Sequence, residues 1–318
     1  MLPAAEQSPV KPTFAERRLS VAKRFRRDRV YLLMLVPVIA FFVIFHYVPM
    51  YGALIAFKKV APGKGYLAGE WIWFANFELF FNSIFFWRLL RNTFVLSFYS
   101  ILFGFPIPIL FALALNGIRR PYYKRFVQSV SYLPHFISTV IVVGMMVNFL
   151  SPVNGVVNRF IEAAGGSPIH FFNSVRWFRP LFVGSEIWQS FGWGSIIYLA
   201  ALTTINPELY ESATVDGASR LQRMWHIDLP GILPTIMILL ILRMGSILAV
   251  GFERIILMYN PATYEVADVI QTYVYRRGVL QADVSFATAV GLFNSTINLV
   301  FLVVFNRVSR RITEISLW

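Results

Sequence analysis

Six long apolar runs, spread over the whole chain, limit what it can fold into more than any other feature. They cover about 30–57, 92–116, 126–150, 181–203, 231–252 and 286–306. A bilayer's hydrocarbon core takes about 20 such residues as helix, and every backbone polar group must be satisfied there without water. Helices satisfy it internally. The alternating ten-residue segments of a membrane barrel are missing. Charged residues are 14% of the chain and hydrophobic ones 57%, against about 25% and 45–50% in soluble domains. The net charge of +13 does not point to nucleic acid, because the apolar runs are too long. With no cysteine, disulfides, thiol catalysis and cysteine-held metals are excluded.

Residues 1–29 are polar and basic, and the run after them is long enough to span, so it reads as a retained helix rather than a cleaved signal. Lys and Arg then set orientation. With the N-terminus inside, the inner segments hold 17 basic residues in 77 positions and the outer ones 11 in 105. Arg17-Arg18, the stretch from Lys23 to Arg29, and Arg119-Arg120 carry most of the bias. Six spans put both termini in the cytoplasm, and the excess charge also suits anionic lipid headgroups. The expected organisation is a basic cytoplasmic segment 1–29, a first helix 30–57, a five-helix core 88–307 and a cytoplasmic tail 308–318. AERRLSVAKRFRRDR fits a helix on anionic lipid. EWIWFANFELFFNSIFFW fits an interfacial helix, and 154–164 a short outer one.

The segment 206–230, between the fourth and fifth runs, is not an arbitrary linker. Asn206-Pro207 is a helix start, with Asn as cap and proline at the first helical position. Glu208 and Glu211 follow near the positive helix end. Gly217 predicts the stop, since glycine takes the left-handed conformation that ends helices. A second short helix is expected over 218–227, and Pro230 and Pro234 open the fifth span. The object is a helix–turn–helix at the inner face with small residues at its bend.

Glu211, Ala213, Gly217, Ile227, Leu229 and Pro230 fall at the spacing of the EAA loop of ABC-importer permeases, and Asp216 and Ala218 extend the match. Ser212 departs from the usual alanine; it too is small. FPIPILFALALN, RFVQSVSYLPHFIS, GWGSIIYLAAL, YNPATYEVADVIQTYVYRRG and the terminal SLW resemble the LplB-like branch, which serves polysaccharide-derived oligosaccharides and includes the first permease of the alginate-oligosaccharide importer. The resemblance implies an all-α integral membrane protein of the type I importer permease fold, in the bacterial inner membrane. It implies pairing with a second homologous permease, two ATPase subunits and an extracytoplasmic solute-binding protein. Glu211, Ala213, Asp216, Gly217 and Ala218 would then form the surface that docks on the ATPase. ATP and Mg would be bound by that partner; no cofactor is expected in this chain. Gly63-Lys64 lacks the upstream glycine of a phosphate-cradling loop.

An ionisable group within a span is costly and therefore a functional candidate. Two readings stand for Arg243: a buried pair with Glu186, or a path-facing cation suited to an acidic sugar. Trp188, Gln189 and Trp193 offer aromatic faces and an amide to a sugar, although aromatics also pack and anchor at interfaces. By resemblance, the third to fifth spans line the path. His46, His135, His170 and His226 are too scattered for a metal site, and no nucleophile elbow appears. The competing class is an ion-coupled secondary transporter, which needs acidic relays and an internal repeat; Glu186 alone does not supply them.

Overall fold

A computed structural model describes residues 27–60, 65 and 68–318. The expected surface helix of the N-terminal segment and Gly63-Lys64 lie outside the described residues. The chain divides into two units, the first ending at Leu54 and the second running from Ile55 to Trp318. In the first, α1 begins at Arg29 and continues helically to Phe57, crossing that boundary. Pro49 lacks the N–H an α-helix would use, and a π-turn at Val43–Tyr47 precedes it.

The second unit opens on a two-stranded ribbon, β1 Lys58–Lys59 against β2 Glu70–Trp71, antiparallel, and α2 (Ala75–Phe81). Then come α3 (Phe86–Tyr99), a π-turn at Ser100–Gly104 and α4 (Pro106–Asn116), together one 31-residue apolar span. Next are α5 (Pro121–Tyr132), α6 (Thr139–Phe149), α7 (Val156–Ala163) and α8 (Val175–Leu202). The segment 206–230 holds α9 (Pro207–Val215) and α10 (Arg220–Arg223), followed by α11 (Leu229–Met244). Then come α12 (Phe252–Met258), α13 (Tyr264–Ala267) and α14 (Ile270–Tyr275). The last helix is α15 (Val284–Thr313).

Four helical stretches among the described residues are long and apolar enough to cross a membrane; a bent pair would make a fifth. That pair corrects the third expected span. In place of one helix over 126–150, Pro121–Phe136 and Thr139–Phe149 meet at 96°. Pro134 ends the first half in a tight turn, and Ile137 and Ser138 are extended, with the Ser138 hydroxyl capping Ile141 N–H. Val175–Leu202 has the length of a span, but Glu186, Gln189 and the serines and glycines around them keep it out of the apolar set.

The fifth expected span also changes. Its helix stops at Met244 rather than near 252. Residues 245–249 continue as turns closed by short-range backbone bonds, and two side chains pin them: Asn298 Oδ1 accepts from Leu248 N–H at 2.9 Å and the Ser97 hydroxyl donates to Ile247 C=O. Irregular backbone at membrane depth is tolerated where protein covers it in this way. The last helix runs seven residues beyond its expected end.

Helix α8 is the hub. Its Phe178, Phe182 and Val183 pack with Leu96 of α3, Val143 of α6 and Ile255 of α12. Its Tyr198 and Leu202 pack with Ile109 and Ala112 of α4 and Ile232 of α11. Gly192 permits the close crossing on α5: a Cβ there would lie 2.1 Å from the Ser131 carbonyl oxygen. A third cluster joins Phe80, Leu89, Ile270, Tyr273 and Phe286.

Asp268 is fully buried and accepts both guanidinium nitrogens of Arg276, at 2.8 and 2.7 Å, and Arg88 at 3.3 Å. It ties α14 to α3. Removing one member of a buried pair strands the other charges. Asp268→Asn is therefore expected to destabilise the fold by about 3 kcal/mol, seen as a lowered Tm of the detergent-purified protein. An unchanged Tm would mean that the arginines are solvated without it.

Candidate functional site

The segment 206–230 is built as its residues require. The Asn206 side chain accepts from Glu208 N–H at 3.1 Å and starts α9. Gly217 adopts φ +72°. Around it Ala218 N–H bonds Ala213 C=O at 2.8 Å and Gly217 N–H bonds Thr214 C=O at 3.2 Å, the paired hydrogen bonds of a left-handed helix stop. Ser219 and Gln222 cap the next helix reciprocally, at 3.3 and 2.7 Å. Glu211, Asp216 and Gly217 are exposed, and Ala213 and Ala218 half-buried.

A Cβ at Gly217 would meet nothing within 4 Å. The glycine answers to backbone conformation, not to crowding within the chain. Tyr210 donates its hydroxyl to Asp228, tying α9 to the root of α11; burial and that carboxylate push the hydroxyl far above its usual range. The expected second helix is shorter, Arg220–Arg223, and passes through a π-turn at Met224–Asp228 straight into α11.

A cavity of about 770 Å³ opens where α4, the α5–α6 bend, α8, α11 and α12 converge. Arg243 reaches Glu186 at 3.1 Å, and the other Glu186 oxygen accepts from the Ser100 hydroxyl at 2.6 Å. Gln189 also lines it, donating to Ile137 C=O at 2.6 Å. Two of the four path candidates, Arg243 and Gln189, thus share one site. Trp193 lies beside it, its ring stacked on His135 at 4.7 Å with the planes 2° apart. Trp188 does not join them: with Leu181 and Gly184 of the same helix it lines a separate apolar cavity of about 420 Å³.

Sequence reasoning missed Arg254, placing it in an outer loop. It lines the large cavity at 8% exposure. Its Nη1 donates to Ser185 Oγ at 2.7 Å and its Nη2 to Gln189 Oε1. Both partners are neutral, and among the described residues no carboxylate lies within 4.0 Å of it. The available signal was the apolar company in FERIILM, which fits a buried helix better than a loop. Among the described residues no group of three His, Asp or Glu could hold a metal.

Residues 104–314 match the family model of the binding-protein-dependent transport system inner membrane component. The chain belongs to that permease family. Protein LplB of Bacillus subtilis is 43% identical over 304 residues, covering 96% of both chains. The polygalacturonan/rhamnogalacturonan transport system permease protein YteP of the same organism is 42% identical, covering 94% of this permease and 93% of that one. The structure of a bacterial ABC transporter involved in the import of the acidic polysaccharide alginate matches at TM-score 0.86 and 49% identity, covering 92% of this permease and 99% of that chain. Another, 48% identical at the same TM-score over 93% and 99%, contains an alginate pentasaccharide-bound periplasmic protein.

The permease is thus a multi-pass inner-membrane importer subunit of helical type I fold, not an enzyme. The ion-coupled carrier is set aside.

Proposed function

We propose that this permease forms half of an ATP-driven path for oligosaccharides, with acidic chains among its substrates. The observation that carries the reading is Arg254, a buried cation bonded only to neutral groups and with no carboxylate within 4.0 Å, in a cavity large enough for sugar units that Glu186 and Glu253 also line. Burying a charge without an opposite charge in direct contact is unfavourable, and an anionic substrate supplies that contact when it passes. Gln189 adds an amide, and Arg243 with Glu186 forms a second charged wall. The names of the relatives, for polygalacturonan and alginate, support the same substrate class. Trp193 borders the path at its stack with His135; Trp188 has no share in it.

Six spans cross the membrane in this reading, α5–α6 and α8 included, with both termini cytoplasmic. Residues 1–29 are the basic inner segment, 30–57 the first span, 88–307 the core and 308–318 the tail. Glu211, Ala213, Asp216, Gly217 and Ala218 seat in a cleft of an ATPase that binds ATP and Mg. A second homologous permease completes the path, and an extracytoplasmic binding protein delivers sugar. Because α10 continues into α11 as one helical stretch from Arg220 to Met244, and Tyr210 of α9 is tied to Asp228 at its root, a shift of the docked turn moves the wall that holds Arg243.

Purification of the tagged permease from its native membrane in mild detergent tests this. An ATPase and a second permease are expected in the same complex, with ATP hydrolysis stimulated by acidic oligosaccharide and its binding protein. A homo-oligomer that keeps no ATPase after gentle crosslinking would sink the assembly.

A further inference from the structure

A second cavity, of about 560 Å³, lies where the C-terminal end of the α3–α4 span meets the N-terminal end of the α10–α11 span. Both spans end there, so the cavity sits at headgroup depth. Its floor is apolar, from Leu113, Ile118 and Met224. Its rim carries Arg119, Arg120 and Arg220. Among the described residues none of these three lies within 4.0 Å of a carboxylate. Asp228, the one acid in the lining, is buried and takes the Tyr210 hydroxyl. The surroundings are those of a membrane interface: Tyr122, Tyr123, Phe126 and Trp225 are all exposed, and Tyr and Trp gather at headgroup level.

We propose that this cavity binds the headgroup of an anionic phospholipid of the leaflet it faces. An apolar floor under a cationic rim matches an acyl chain below a phosphoryl group, and basic pockets between spans take such headgroups. The site also touches both halves of the coupling apparatus. Arg220 belongs to α10, directly after the turn at Gly217, and Asp228 anchors α9 through Tyr210. A lipid held there braces the turn against α4. That it faces the cytoplasm rests on the topology proposed above; that it lies at a membrane surface does not.

The test uses the assembled importer, exchanged into phosphatidylcholine nanodiscs with or without phosphatidylglycerol, with retained lipid counted by native mass spectrometry. Arg119→Gln with Arg120→Gln is expected to weaken phosphatidylglycerol retention about fivefold per arginine removed. Arg119→Lys with Arg120→Lys is expected to keep it within about twofold, since the charge remains. Equal retention in the glutamine variant would overturn the proposal. So would displacement of the lipid by inorganic phosphate alone, which would identify a soluble anion site, or retention that appears only after the ATPase subunits are stripped from the importer, which would make the rim an ATPase contact. ATPase co-purification is scored on the same samples, so failure of the coupling reading registers separately from failure of the lipid site.

Discussion

A permease carrying Gly217→Trp is expected to insert and fold but not to transport. Gly217 sits at φ +72° in an exposed turn. A side chain there costs about 1–2 kcal/mol of backbone strain, confined to the turn, and no neighbouring atom obstructs it. The spans are untouched. What changes is the surface: an indole projects where the small residues Ala213 and Ala218 leave the bend low. A docking partner shaped to that bend is held off, and its movement no longer reaches α11. Uptake into vesicles should fall at least about tenfold, the effect of 1.4 kcal/mol or more of lost docking, and the ATPase should no longer co-purify. Gly217→Ala separates strain from bulk; it keeps the strain and should lose far less. Uptake at the unsubstituted level by Gly217→Trp would remove the docking role.

Arg254→Gln should separate acidic from neutral oligosaccharides. Glutamine can still hydrogen bond Ser185 or Gln189 but carries no charge. Losing one partner of a buried charge contact costs about 2–5 kcal/mol, so uptake of acidic chains should fall about thirtyfold or more. Neutral chains should stay within about threefold. Arg243→Ala should act in the same direction for another reason. Arg243 is already neutralised by Glu186 at 3.1 Å, and its removal leaves a bare carboxylate facing the path, which repels an acidic sugar. Removing Glu186 as well should then restore part of the loss. Equal losses for both sugar classes in Arg254→Gln would return that arginine to a brace between α12 and α8. A double variant no better than Arg243→Ala would make Arg243 itself a substrate contact.

The sequence by itself determined the membrane setting, because apolar length is a local property and a bilayer reads it directly. The turn at Gly217 was legible too. The Asn206 cap, the stop at Gly217 and the small residues between them act within a few positions of each other, and the structure keeps them at that spacing. The Arg243–Glu186 pair was legible for the same reason: two opposite charges in apolar spans have few other partners.

Tertiary structure alone decided the rest. The bend at Ile137–Ser138 and the early end of α11 depend on groups supplied from elsewhere. Asn298 and Ser97 pin the turns of 245–249, from 50 and 150 positions away. Arg254 became a site residue only because α12 folds back onto α8 and lays the guanidinium against Ser185 and Gln189. Trp188 left the site because one helix presents different faces to different cavities. Hydropathy records what a segment avoids, but a polar contact between segments distant in the chain exists only once packing has brought them together.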